Sequence, residues 1–273
     1  MVGDCVNSGM ETQQLQFEFE GNKIAYRKVG DGRPLLVLHG WGASSDVMIP
    51  LVNSLKIQRT FFLIDFPGFG KSPAPNTAWD VGEYARMIAG FINEISTGPV
   101  DIIAHSFGGR VTLKLCSHPE WKQLIGKVLI TGGAGMKPRR SAKFYVKKYL
   151  AKTLKFPFTI MPKVLGEKGL TWLRSTKLWR SLGSSDYQLL QGVMREIFVK
   201  TVSEYLENTL PLINQEVLLL WGSNDESTPV YQAKEMERGI KNSGLAVIDQ
   251  AGHYAFLDRP HQFKVITETF FKA

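Results

Sequence analysis

Cysteine is scarce. Cys5 and Cys116, the two in 273 residues, are too few for a disulfide framework and lack the paired spacing of a zinc site. Long apolar runs are missing too, since no stretch reaches the roughly 18 residues that would span a bilayer. The opening segment MVGDCVNSGMETQQLQFEFEG has neither a basic start nor an apolar block, so it does not read as a secretory leader. Among the histidines, His105, His118 and His261 form no pair spaced for metal binding. The expectation is a cytoplasmic protein that needs no metal and no cofactor. Acidic residues are sparse in one place only: residues 136–200 hold fifteen Lys and Arg against three Asp and Glu. That segment carries +12 of a chain whose net charge is +8, which leaves −4 for the rest. So localised a charge argues against nucleic acid as partner and asks for its own explanation.

What is present is ordinary globular composition, with enough chain for one large core or a core bearing an inserted subdomain. LQFEFEG and KIAYRKVG alternate around Gly21-Asn22 and predict a hairpin. RPLLVLHG, TFFLIDFPG, PVDIIAHS, GKVLITGG and EVLLLWG each hold a mainly apolar run between turn signals, the mark of a strand buried on both faces, and LAVIDQ supplies a last strand. Helical segments lie between them: SSDVMIPLVNSLK, WDVGEYARMIAGFINEI, FGGRVTLKLCSHP, PVYQAKEMERGIKN and PHQFKVITETFFK. Buried strands alternating with helices predict a mainly parallel sheet covered on both faces.

Residues 135–208 break this rhythm. SAKFYVKKYLAKTLK places Ala142, Tyr145, Val146, Tyr149, Leu150 and Leu154 on one helical face, and SSDYQLLQGVMREIFVKTVSEYLEN reads as further helix. The expected organisation is a core of residues 1–134 and 209–273 interrupted by a helical cap, 135–208.

In open parallel sheets, sites form beyond the carboxyl ends of the strands. Four such ends carry suggestive residues: HGWG (39–42), HSFGG (105–109), WGSNDESTP (221–229) and AGHYAF (251–256). Alone, each has a plain structural reading: Ser106 as a turn, Asp225 as a turn or helix cap, His253 as a hydrogen-bonded core histidine. Together they resemble the α/β-hydrolase family, over nearly the whole chain. That family sets its nucleophile on a strand–turn–helix elbow, G-x-S-x-G, followed in chain order by an acid and a histidine.

The resemblance implies an eight-stranded, mainly parallel sheet, with Ser106 as nucleophile, Asp225 as acid and His253 as base. It implies oxyanion donors at the backbone N–H groups of Trp41 and Phe107. Ala104 stands where glycine is commonest, a departure of one methyl group. Asp65, within DFPGFG, reads as structural, and His39 as a brace for its loop. His105, His118 and His261 read as structural or solvent-facing.

A serine at the elbow, rather than an aspartate, favours acyl transfer to water and disfavours the dehalogenase and epoxide hydrolase branches. The aromatic and aliphatic residues of KFPFTIMPKVLG and LTWLRSTKLWRSL suit an apolar acyl group on a small-molecule ester. HGWG and the helical insertion resemble carboxylesterases and the esterases of pimeloyl-carrier-protein methyl ester. Alternatives at this stage are a carbon–carbon bond hydrolase of vinylogous diketones, an acyl-carrier or thioester hydrolase, or a non-catalytic receptor on the same fold. The basic cap reads as a solvated face, or as a contact for an acidic carrier protein or an anionic surface. Nothing in the sequence indicates oligomeric state.

Overall fold

Five apolar runs bounded by turn signals fold as the middle of one sheet. In the computed structural model, which describes residues 12–139, 142–176 and 190–272, they are β3 (Arg33–Leu38), β4 (Arg59–Ile64), β5 (Val100–His105), β6 (Ile125–Thr131) and β7 (Val217–Gly222). Every residue of β5 is buried. β1 (Thr12–Phe19) and β2 (Asn22–Val29) precede them and β8 (Ser243–Ile248) follows. The eight strands run in the order β1-β2-β4-β3-β5-β6-β7-β8. β2 is antiparallel to both its neighbours, and all other pairs are parallel. The β1–β2 turn falls on Glu20-Gly21, one residue before the expected position. Both have positive φ, the backbone twist that a two-residue hairpin loop requires.

Strand alternation assigns the two faces. Leu35, Val37, Phe61, Leu63, Ile103 and Leu129 join one cluster with Leu51 of α1 (Ile49–Ser54) and with Phe263 and Phe271 of α9 (Pro260–Lys272). Their sequence neighbours point the other way. There Phe62 meets Phe91 of α2 (Val81–Ile95), ring centroids 5.9 Å apart. α3 (Phe107–Ser117) lies on that face so closely that a Cβ on Gly108 would sit 2.7 Å from the Leu38 carbonyl oxygen. The glycines after Ser106 therefore let the helix lie down on the sheet. α2 begins with a capping box: Glu83 N–H donates to the Asp80 side chain and Asp80 N–H to that of Glu83. α7 (Val230–Gly239) packs on β7 and β8, and the four-residue α8 (Ala255–Asp258) leads into α9.

The chain divides into two compact units, one reaching Lys137 and resuming at Val199, the other Pro138–Phe198. The second contains α4 (Ala142–Thr159) and α5 (Lys163–Ser175), and α6 (Gly192–Ser203) runs from it into the first. Residues 199–208, read from the sequence as part of the insertion, group with the sheet. Arg110 of α3, itself buried, donates to the carbonyls of Thr201 and Glu204 and so caps the end of α6. The apolar face expected on α4 is turned inward only in part at its described positions: Leu154 is half-buried, but Tyr149 and Leu150 are exposed. The expected helix over 184–189 lies outside the described residues.

At the amino ends of the strands Asp101 is buried against Arg33 (3.1 Å) and Arg59 (3.0 Å) and accepts the Lys127 N–H (2.8 Å). Arg59 is itself largely buried, so losing its partner strands a cation in the core. Asp101→Ala is expected to lower stability by about 3 kcal/mol, read as a drop in urea midpoint with unchanged catalytic turnover per folded molecule.

Candidate active site

The sheet order places four loops side by side at the carboxyl ends of the strands. Chain order reverses there, with β4 on one side of β3 and β5 on the other, the place where open α/β sheets form crevices.

Ser106 occupies the turn between β5 and α3 at φ 52°, ψ −108°, a region that costs a non-glycine residue about 1–3 kcal/mol. Three hydrogen bonds hold it there. Its N–H donates to the Thr131 carbonyl (3.0 Å), and its carbonyl accepts from Ala134 N–H (2.9 Å) and Arg110 N–H (3.2 Å). Ala104 is fully buried. Phe107 opens α3, so its N–H has no intrahelical acceptor.

The loop after β3 runs hard against this elbow. A Cβ on Gly40 would lie 3.1 Å from Ser106 Cβ and 2.9 Å from His105 Nδ1. Gly108 N–H donates to the His39 carbonyl at 3.1 Å, and the Trp41 ring meets Phe107 edge-on at 5.4 Å. His39 braces the loop: Nδ1 donates to the Gly40 carbonyl (2.7 Å) and Nε2 accepts from Phe66 N–H (3.0 Å). That pairing needs the neutral ring, and burial lowers its pKa to about 4. Asp65 is structural as well. Its carboxylate accepts the N–H groups of Ser45 (2.7 Å) and Lys71 (2.9 Å), tying two loops together.

The loops after β7 and β8 bring Asp225 to His253, with Oδ2 and Nδ1 2.9 Å apart. Asp225 Oδ1 accepts the N–H groups of Ser227 (2.9 Å) and Thr228 (2.8 Å). The Thr228 hydroxyl lies 2.9 Å from both Asp225 Oδ2 and the Gly132 carbonyl oxygen, so its proton serves one at a time. Burial opposes ionisation of Asp225, but the hydrogen bonds from His253 and Thr228 outweigh it and hold the pKa below the usual carboxylate value. His253 is partly exposed while its carboxylate partner is not.

His105 links the histidine loop to the elbow. Its Nε2 donates to the His253 carbonyl at 3.1 Å, and the two rings lie 4.7 Å apart. It is fully buried, and Nδ1 has no hydrogen-bond partner among the described residues. The ring is therefore neutral; burial, then the neighbouring His253, lower its pKa to about 3.

Of the five residues singled out by sequence, Asp225 and His253 touch, as do the rings of Trp41 and Phe107. Ser106 is held next to His105 at the same end of the sheet, with no hydrogen bond to His253 among the described residues. Sequence reasoning missed Thr228, and it read His105 as structural or solvent-facing without anticipating its bond to the His253 backbone. The D-x-x-T spacing could have suggested Thr228, because an aspartate readily accepts N–H groups two and three residues on. His118, by contrast, stacks on Trp121 at 3.7 Å, away from these loops. No group of three His, Cys, Asp or Glu among the described residues could hold a metal ion. Nor is any described helix long and apolar enough to cross a membrane.

A sequence profile described as alpha/beta hydrolase fold matches residues 33–260. The pimeloyl-[acyl-carrier protein] methyl ester esterase of Shewanella woodyi is 26% identical over 258 residues, 89% of this chain and 95% of that one. A 2-hydroxy-6-oxononadienedioate/2-hydroxy-6-oxononatrienedioate hydrolase of Pseudomonas putida is 26% identical over 256 residues, 85% and 86% of the two chains. Among solved structures, an esterase from Exiguobacterium antarcticum superposes with a TM-score of 0.69 at 25% identity, covering 93% of this chain and 97% of that one.

Proposed function

Since the chain belongs to the α/β-hydrolase family, we propose that this hydrolase cleaves carboxylic esters of apolar acyl groups through Ser106, His253 and Asp225. The observation that carries this reading is the Asp225–His253 hydrogen bond, formed at the same sheet edge that presents a serine in a strained conformation.

A serine hydroxyl is a weak nucleophile until a base takes its proton. With Asp225 accepting from Nδ1–H, the free lone pair of His253 sits on Nε2. As Ser106 Oγ attacks the ester carbonyl, Nε2 takes the hydroxyl proton and then gives it to the departing alkoxide, leaving an acyl-enzyme. Water repeats the sequence: Nε2 removes its proton, the hydroxide attacks the acyl carbon, and Ser106 leaves reprotonated. The N–H groups of Phe107 and Trp41 are assigned to the oxyanion, each such donor being worth about 3 kcal/mol in the transition state. Serine–histidine hydrogen bonds are often long before substrate binds and tighten in the complex, which fits an open Ser106.

The Pseudomonas relative supports a second reading, hydrolysis of a carbon–carbon bond in a vinylogous diketone. One panel separates the two: p-nitrophenyl esters of graded acyl length, a lactone, a thioester and a dienoate diketone, against wild type and Ser106→Ala. We expect ester turnover that Ser106→Ala abolishes, and labelling of Ser106 by a fluorophosphonate. Diketone cleavage with negligible ester turnover would transfer the assignment to the second reading.

A further inference from the structure

Large apolar side chains on a protein surface are usually scattered. Here seven of the fourteen that stand exposed among the described residues fall within 149–172. This stretch spans the turn between α4 and α5, which pack on each other as a helical hairpin. Gly166 and Gly169 of α5 leave room only for Phe158 of α4, since a Cβ on either would collide with that residue. Gly166 and Leu173 are buried, so the inner side of the hairpin is defined.

The outer side has a pattern of its own. On α4 Tyr149, Lys152 and Phe156 are all exposed, at i, i+3 and i+7, and Ile160 follows at the apex, 71% exposed. On α5 Leu165, Lys168 and Trp172 repeat the spacing, each exposed, with Met161 before them. Each stripe thus sets a lysine between large apolar groups. Over residues 142–175 the sequence holds eight Lys and Arg and a single acidic residue, Glu167.

We propose that this hairpin lies in the surface of an anionic lipid bilayer, with Ile160, Met161 and Leu165 entering the acyl boundary and Lys152 and Lys168 reaching the phosphates. A lysine stem is apolar and its ammonium extends outward, so a stripe alternating lysine with apolar groups matches the interface at every position. An acidic protein would pair the lysines and leave the apex in water. A bilayer satisfies both at once. The proposal concerns the second unit alone and does not depend on the catalytic assignment.

Sedimentation of the full chain with vesicles tests it. Phosphatidylcholine vesicles containing about 30% phosphatidylglycerol are expected to bind the wild type, at least about tenfold more tightly than pure phosphatidylcholine, and less so in high salt. Ile160→Asp with Leu165→Asp should weaken binding at least about tenfold. Lys152→Glu with Lys168→Glu should weaken it about 25-fold or more. Ser106→Ala should bind like wild type, and Lys152→Glu with Lys168→Glu should hydrolyse a small soluble ester at the wild-type rate. The proposal is overturned if wild type fails to sediment with anionic vesicles. It is overturned equally if the charge reversal abolishes binding while the apolar exchange does not, the signature of adsorption by charge alone with no apolar group entering the bilayer. A third contrary result would be an apolar variant that still binds anionic vesicles like wild type.

Discussion

Asp225→Asn is expected to lower kcat for a soluble ester by about 10⁴-fold while leaving KM and the fold nearly unchanged. The direction follows from which atoms face Asp225. Its Oδ1 accepts two backbone N–H groups, from Ser227 and Thr228, so an asparagine must keep its carbonyl oxygen there. The amide nitrogen then takes the place of Oδ2 and points a proton at His253 Nδ1. His253 can meet that donor only with a bare Nδ1, which moves its own proton to Nε2, the atom that must accept from Ser106. The imidazole stays in position in the wrong tautomer. Combining Asp225→Asn with Ser106→Ala should add little to the loss from Ser106→Ala alone, because residues acting as one unit are not additive. A variant retaining a tenth of wild-type kcat would mean that Asp225 does not set the tautomer of a catalytic base.

Acid should unfold the protein steeply well above the carboxylate range. His39 and His105 are buried and neutral, with pKa values lowered to about 4 and about 3, against roughly 6.5 in an unfolded chain. Below that unfolded value the unfolded state binds protons that the native state refuses, so stability falls as pH falls. With both rings contributing, the slope approaches about 3 kcal/mol per pH unit, and the loss by pH ~4.5 is about 5 kcal/mol, comparable to the whole stability of many domains. Asp225 works lower on the scale: its depressed pKa contributes stability present above about 3.9 and lost as pH drops through the folded value. Urea midpoints measured from pH 7 to about 4.5 check the effect. His105→Asn should halve the slope by removing one titrating ring. A midpoint that stays flat over that range would show that these rings accept protons in place.

Local pattern carried much of this molecule. The apolar runs at Leu35–Leu38, Phe61–Ile64 and Ile102–Ala104 left little choice but strands covered on both sides, because no single-faced strand could hide them. AHSFGG read by pattern as a turn between a buried strand and a helix, and its resemblance to the family's G-x-S-x-G elbow made Ser106 the candidate nucleophile. What failed was also local. Leu150 and Tyr149 share a helical face with other apolar residues, yet both are exposed, since periodicity names a face without naming what lies opposite.

Chain chemistry alone settled the strands, their connections and the residue types waiting at their ends. Folding in three dimensions decided that Asp225 and His253, 28 positions apart, would share a proton, and that His105 would reach across 148 positions to the His253 backbone. It also decided that residues 199–208 would group with the unit holding the sheet, where Arg110 bonds their backbone. The division has a physical cause. Periodicity and turn propensity act over a few residues, whereas these contacts arise from the lateral order of parallel strands, which is set by packing many distant side chains at once.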